Sequence, residues 1–336
     1  MKKLCLFLLS LTAVLAVGAQ SLTATIQHDG QLLGAYDGVN AFRDAYEAAP
    51  SGATITLAPG TYDALESAVD KQLTIVGSGA FEDGSITKIA SLAVSVDDVR
   101  LEGLYISGTL TLGAVGNCRI VRCWIDSELQ SSEAHHNTLL DQCVVRKNYA
   151  MTNAVEFYIK NSTIGNIDTN TSSNPAEFVN TVIYYWQTSS GEPYGVYRNC
   201  ALSADLIYGN VSLPSASEFY NTAFSTTYLY NRYNSWSNNY LIREPNVTFG
   251  SNAHNCYKIA FSDLYQMGSV LSGDPMLYPA SLYSPPTGDD GRPIGIEGGT
   301  GFSTYPAIPR ITSSTIDATT NDQGQIHVSI SAEITQ

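Results

Sequence analysis

The sequence predicts an all-β solenoid, a chain wound into short coils stacked on one another. Three observations carry that prediction. A motif recurs: FYIKNSTI (157–164), FVNTVI (178–183), YRNCAL (197–202) and FYNTAF (219–224). Inside each period the hydrophobic pattern alternates residue by residue, as in Val99-Arg100-Leu101, with no helical spacing. The composition suits strands and turns: 14% charged residues, 21 Tyr and 27 Gly.

The repeat sets the architecture. Aligned on Asn161, its positions are Gly103, Arg122, Gln142, Asn161, Asn180, Asn199, Asn221 and Asn238, at spacings of 19, 20, 19, 19, 19, 22 and 17. A period near 20 means one supersecondary unit per coil. A short strand cannot bury a face alone, so successive coils must pair as parallel strands about 4.8 Å apart. The aligned residue then sits at a bend between two strands. Asn tolerates left-handed backbone angles there, and stacked amides can hydrogen-bond as a ladder. The residues that follow the bend, Leu104, Cys123, Cys143, Ser162, Thr181, Cys200 and Thr222, are expected to point inward as a second stack.

Ahead of the repeat, DGVNAFRDAYEAAPSGATITLAPGTY (37–62) places Val39, Phe42, Tyr46 and Ala49 on one helical face. It then turns at Pro50-Ser51-Gly52 into a strand. A capping helix at this end covers core and unpaired strand edges. LTIVGSG (73–79) reads as the next coil. Near the other end, Ile311–Ile316 and Ile326–Ile334 alternate around Asp322-Gln323-Gly324, which reads as a strand pair.

With the repeat, the capping segment and the LTIVGSG coil in view, the chain resembles a right-handed parallel β-helix of the pectate-lyase-like superfamily. GRPIGIEGG (291–299) and the strand pair after it resemble the tail of secreted β-helix proteins from Bacteroidetes-type bacteria. The likeness spans most of residues 37–334. The expected organisation is a signal peptide (1–19), a lead-in (20–36), the β-helix (37–275), an irregular closing segment (276–307) and a C-terminal strand pair (308–336).

The expected setting is export. MKKLCLFLLSLTAVLAVGAQ has lysines, an apolar run and a small-residue cleavage site after Ala19. No segment is long enough for a comfortable membrane span. The formal net charge of −14 repels nucleic acid. Cleavage leaves Cys118, Cys123, Cys143, Cys200 and Cys256, an odd number without CxxC spacing, which argues against zinc. Cys123 and Cys143 occupy equivalent places in successive coils; a stack of buried thiols is favoured over a strained disulfide. Asn161-Ser162-Thr163 and Asn246-Val247-Thr248 match glycosylation sequons, but the signal peptide looks bacterial.

Many enzymes of the resembled fold act on polysaccharides along one outer sheet. Here that sheet uses strands near 109–112, 128–130, 148–151, 166–169, 184–186, 205–208 and 228–230. Its outward positions supply Glu128, Asp168 and Asp205, with Arg146 and Lys147 close by. A lyase needs a base beside a uronate carboxyl and a cation to neutralise that carboxyl. Lys147 or Arg146 could serve as base, and Glu128, Asp168 and Asp205 as ligands for Ca²⁺, the one cofactor the reading suggests. The competing reading is solvated charge on an outer face. Tyr184, Trp186, Tyr208, Tyr228 and Tyr230 could stack on sugar rings, or form a plain surface ladder.

Departures from the family pattern weaken a specific enzyme assignment. Trp124-Ile125-Asp126 echoes a pectate-lyase strand but is followed by Ser127, not His. The Arg-x-Pro-x-x-Arg setting is absent, as are the Gly-His-Gly and Arg-Ile-Lys motifs of polygalacturonases. Asp97-Asp98 and Asp289-Asp290 read as turn formers, and His135-His136 as an exposed turn. The leading expectation is an exported monomer that binds or processes a polysaccharide or cell-surface glycan. The alternatives are a non-catalytic adhesive module and a scaffold whose chemistry lies in a partner.

Overall fold

A computed structural model describes residues 22–81, 86–131, 133–151, 154–168, 176–187, 195–203, 218–225, 257–258, 265–266, 278–279, 291, 310–316 and 328–333. The expected signal peptide, the positions Asn238 and Cys256, the pair Asp289-Asp290 and the residues 292–309 lie outside them.

The described chain is an all-β parallel solenoid with one helix near its N-terminal end. A first face stacks nine parallel strands, from Thr54–Leu57 through Thr74–Val76 and Arg100–Glu102 to Glu218–Tyr220. A second face runs from Gly60–Tyr62 through Tyr105–Ile106 and Trp124–Ile125 to Tyr257–Lys258. A third stacks Leu92–Val94, Leu110–Leu112 and Glu128–Ser131 in parallel. It continues in the later parts of the long strands Val144–Met151, Thr163–Asp168 and Val182–Gln187. Near the other end Arg310–Ile316 pairs antiparallel with Val328–Glu333.

The corner residue decides where each coil turns. Gly103, Arg122, Gln142, Asn161, Asn180, Asn199 and Asn221 all have φ between 47° and 64°. That left-handed region is costly for most side chains and cheapest for Gly and Asn. The amide column forms as expected: Asn180 Nδ2 donates to Asn161 Oδ1 at 2.7 Å, and Asn161 Nδ2 to Asp141 Oδ1 at 3.0 Å. Arg122 is the least suited residue in the column. Its guanidinium instead pairs with Glu102 at 3.1 Å, and Arg100 holds the same carboxylate at 2.7 Å.

The expected second stack is buried throughout, from Leu104 to Thr222. It is also a capping device. Cys123, Cys143, Ser162, Thr181, Cys200 and Thr222 each donate to the carbonyl two residues back, just before the corner. Cys143, Ser162 and Thr222 accept the backbone N–H of Cys123, Cys143 and Cys200 in the coil before. Those carbonyls already accept the N–H of the corner residue one coil earlier, so the S–H or O–H adds a second bond to each, while the N–H groups of Cys123, Cys143 and Cys200 are satisfied by the side chain in the next coil. The four described cysteines are free thiols, as favoured.

The core runs as columns along the axis. Ile55, Ile75, Leu101, Ile120, Leu140, Ile159, Phe178 and Tyr197 stand in register and are buried. Phe178 and Tyr197 stack 4.6 Å apart, so rings replace aliphatics towards the later coils.

At the N-terminal end the helix spans Ala41–Ala48 and buries Ala41, Phe42, Ala45 and Tyr46. Val39, expected on the same face, precedes the helix and is 67% exposed. Lys71 Nζ donates to the carbonyls of Tyr46, Glu47 and Ala49, closing the helix end. The expected lead-in is itself structured. Thr23–His28 and Gln31–Asp37 form a hairpin that pairs antiparallel with Thr54–Leu57 and extends the first face. Its turn is Asp29-Gly30, both at positive φ, the Asp-Gly signal of a tight hairpin.

A second left-handed corner repeats where the third face returns to the first. Asp98, Asn117, Asn137 and Glu156 have φ of 60°, 57°, 49° and 56°. Asn137 Nδ2 donates to Asn117 Oδ1 at 2.6 Å. The Asp97-Asp98 pair therefore belongs to a turn. The reading of His135-His136 as an exposed turn needs correction: His136 is exposed, but His135 is 1% exposed. The strand His135–Asp141 already alternates there, and His135 takes the inward phase.

Two outcomes test the corner. Asn180→Ala is expected to cost about 2 kcal/mol, combining left-handed strain with the lost hydrogen bond, whereas Asn180→Gly loses only the bond, about 1 kcal/mol. Equal losses in chemical denaturation would show that the backbone angle contributes little. Cys143→Ser is expected to fold with near-native stability, while Cys143→Val, which leaves the Cys123 N–H unpaired, costs about 1–3 kcal/mol.

Candidate functional site

Chemistry-bearing side chains gather on the outer side of the corner between the second and third faces. Lys88, Tyr105 and Trp124 occupy equivalent places on three successive second-face strands. Lys88 Nζ lies 5.4 Å from the Tyr105 ring centroid, and Tyr105 stacks on Trp124 at 5.8 Å. Phe81 packs against the other side of Trp124 at 5.9 Å. Trp124 is only 4% exposed, so it is packing beneath the surface, and Tyr105 presents the more open ring.

Asp126 ties this aromatic group to the next coil. Its Oδ1 accepts from Arg146 Nη1 at 2.7 Å and from Trp124 Nε1 at 3.3 Å, and Tyr105 also bonds to the carboxylate. Partial burial pushes the Asp126 carboxyl up, yet the hydrogen bond and charge of Arg146, with Trp124 and Tyr105 donating, carry it below the ordinary carboxylate range. The bond to Asp126 in turn raises Arg146 above its usual value. Burial, then the Asp126 charge, raises the Tyr105 phenol. Each shift favours the form already present at neutral pH, so the cluster is a set of fixed charges.

A β-bulge shapes the corner. Val145 pairs with Ile164 and Asn148 with Asn166, so Arg146 and Lys147 together oppose Gly165. A Cβ on Gly165 would lie 1.9 Å from the Arg146 carbonyl oxygen. Only glycine admits this approach, and such bulges re-aim side chains. Arg146 turns to Asp126, and Lys147 is exposed.

The register sorts the other predicted residues. Tyr184 aligns with Gly165, so it shares the corner column with Arg146 and Lys147. In backbone register Trp186 aligns through Ile167 and Tyr149 with Leu129 and Leu110, and Tyr185 aligns with Asn166 and Asn148. Glu128 aligns with Asn148 and Asn166, whereas Asp168 lies two positions further along the strand. Glu128 and Asp168 therefore do not share a column. Among the described residues no three His, Cys, Asp or Glu side chains converge on a metal-sized site. Asp205, Tyr208, Tyr228 and Tyr230 lie outside the described residues.

Sequence reasoning did not single out Lys88, Tyr105, Phe81 or Asp126 as a group. Tyr105 and Trp124 are separated by one period, the available signal. Phe81 arrives from a connecting segment that periodicity does not place. No helix among the described residues is long and apolar enough to cross a membrane. The chain matches no protein-family model, and no curated protein matches it.

The Asp126–Arg146 pair is half-exposed, so its coupling is expected to be about 1 kcal/mol. A double-mutant cycle of Asp126→Asn and Arg146→Met in urea measures it. A coupling near zero would mean that solvent screens the pair completely.

Proposed function

We propose that this protein binds a glycan along the corner between its second and third faces, without cutting it. The observation that carries this reading is the Tyr105–Asp126–Arg146 cluster beside the exposed Lys147. Tyr105 is half-exposed between Lys88 and Trp124, and the open part of its ring offers apolar surface to a sugar, combining burial with a polar handle. Arg146 and Lys147 offer donors to hydroxyl or acidic groups. The shifts at Asp126 and Arg146 run away from proton transfer at neutral pH, where a general acid or base is most effective near the working pH. That favours binding over chemistry. The lyase reading retains one supporting feature, Lys147 re-aimed by the bulge; Arg146 would then neutralise a uronate and not act as base.

The wider setting belongs to the same proposal. The N-terminal lysines and apolar run support export to the periplasm, cell surface or medium. Parallel crossovers are right-handed in about 98% of cases, which supports a right-handed coil. That handedness, the corner motif and the N-terminal helix support placement in the pectate-lyase-like superfamily.

A glycan array followed by calorimetry tests the reading. Tyr105→Ala and Lys147→Ala are each expected to weaken binding about tenfold, or about 1.4 kcal/mol; the melting temperature is little changed by Lys147→Ala and lowered by Tyr105→Ala, which also loses the stack on Trp124. Binding unaffected by both variants, or no glycan bound, overturns it. Cleavage products from pectin, alginate or chondroitin, with or without Ca²⁺, would replace it with the lyase reading.

A further inference from the structure

His135 is a titratable side chain inside the solenoid that the proposed binding does not use. It is 1% exposed, and its ring meets the Phe157 ring edge-on at 5.4 Å. Neither Nδ1 nor Nε2 has a hydrogen-bond partner, and the buried Oγ1 of Thr138, three residues along the same strand, also has none. A neutral imidazole pays a desolvation cost there; an imidazolium pays much more, because nothing accepts its two N–H groups.

Among the described residues the surroundings of His135 offer no buried counter-charge. On its own strand and the approach to it, Glu133 and His136 are exposed and Asp141 is half-buried. The preceding first-face strand brings Arg119, half-buried, next to Cys118, whose thiol burial pushes up to about 11 and so keeps neutral. The following strand brings Glu156 and Lys160, both exposed. The second and third faces of these coils bury the apolar Ile125, Val145 and Leu129. Burial, with a smaller contribution from the neighbouring His136, lowers the His135 imidazole to about 4.

We propose that His135 is an acid-sensitive weak point of the solenoid, whose protonation opens the corner where the third face returns to the first. That corner is held by His136 N donating to Val115 O and Asn117 N to His136 O, each at 3.0 Å, and by the Asn137–Asn117 amide bond. An imidazolium reaching for water draws this segment outward and breaks those bonds.

The direction follows from linkage. The unfolded chain takes up the proton near pH 6.5, the folded one only near 4. The His135 contribution is intact above pH 6.5 and is lost progressively as pH falls towards 4. The folding constant then drops by up to about 300-fold, the ratio set by the two protonation midpoints.

Denaturant unfolding of the full chain and of His135→Phe between pH 7.5 and 3.5 tests this. Carboxylate effects common to both proteins cancel in the ratio of their folding constants. That ratio is expected to stay constant above pH 6.5 and to shift against the wild type below it, approaching about 300-fold. Parallel profiles overturn the proposal. Should His135→Phe fail to fold, an NMR titration of the wild-type imidazole decides alone. A midpoint near 4 supports the weak point, and one near 6.5 overturns it.

Discussion

From the strand Arg100–Glu102 onward, each first-face strand is followed by one residue with a left-handed backbone, and it is there that the coil turns. The rest of the structure depends on that bend. It aims the next residue inward and sets the register of the following coil. It also leaves N–H groups that the strand ladder does not use. The chain meets those demands with two residue choices in sequence: Gly or Asn at the bend where available, then a small Cys, Ser or Thr. The amide binds along the axis, and the thiol or hydroxyl satisfies the backbone beside it. Where Arg122 takes the bend, the buried carboxylate of Glu102 between Arg100 and Arg122 supplies a partner for its charge.

The candidate site arises where the corner between the second and third faces is irregular. Two residues turn the corner at Asp126-Ser127 and at Arg146-Lys147, but one suffices at Gly165. The mismatch forces a bulge, and the bulge parts two neighbouring cations. Arg146 is spent on Asp126, while Lys147 stays in solvent. The aromatic group beside them obeys the usual logic of stacked coils, in which like positions meet every period. A surface feature of the solenoid is thus a column, and its chemistry is set by which residues share one.

The same stacking makes the interior unforgiving towards polar groups. Buried thiols and hydroxyls in the second stack are satisfied because the corner supplies backbone partners at each coil. His135 lies away from that corner and finds none. Burial is therefore neutral for Cys143 or Ser162 and costly for His135, although all are polar side chains on inward positions.

Much of the fold was legible because a period near 20 and residue-by-residue alternation are local properties of the chain. They specify parallel coils, one bend at Asn161 and its equivalents, and an inward phase for Cys123 through Thr222. The second bend was less legible, since Asp98, Asn117, Asn137 and Glu156 share backbone angles more than residue type. What the sequence could not supply was the count of residues at each corner. A single residue fewer at Gly165 shifts the backbone register of the strand that follows, which aligns Trp186 with Leu129 and sets Asp168 two positions beyond the level of Glu128. Only the assembled coils decide that count, because it depends on carbonyl contact between strands far apart in the chain. The sequence by itself determined that the chain winds and where it first bends; the tertiary structure decided which side chains meet on the surface.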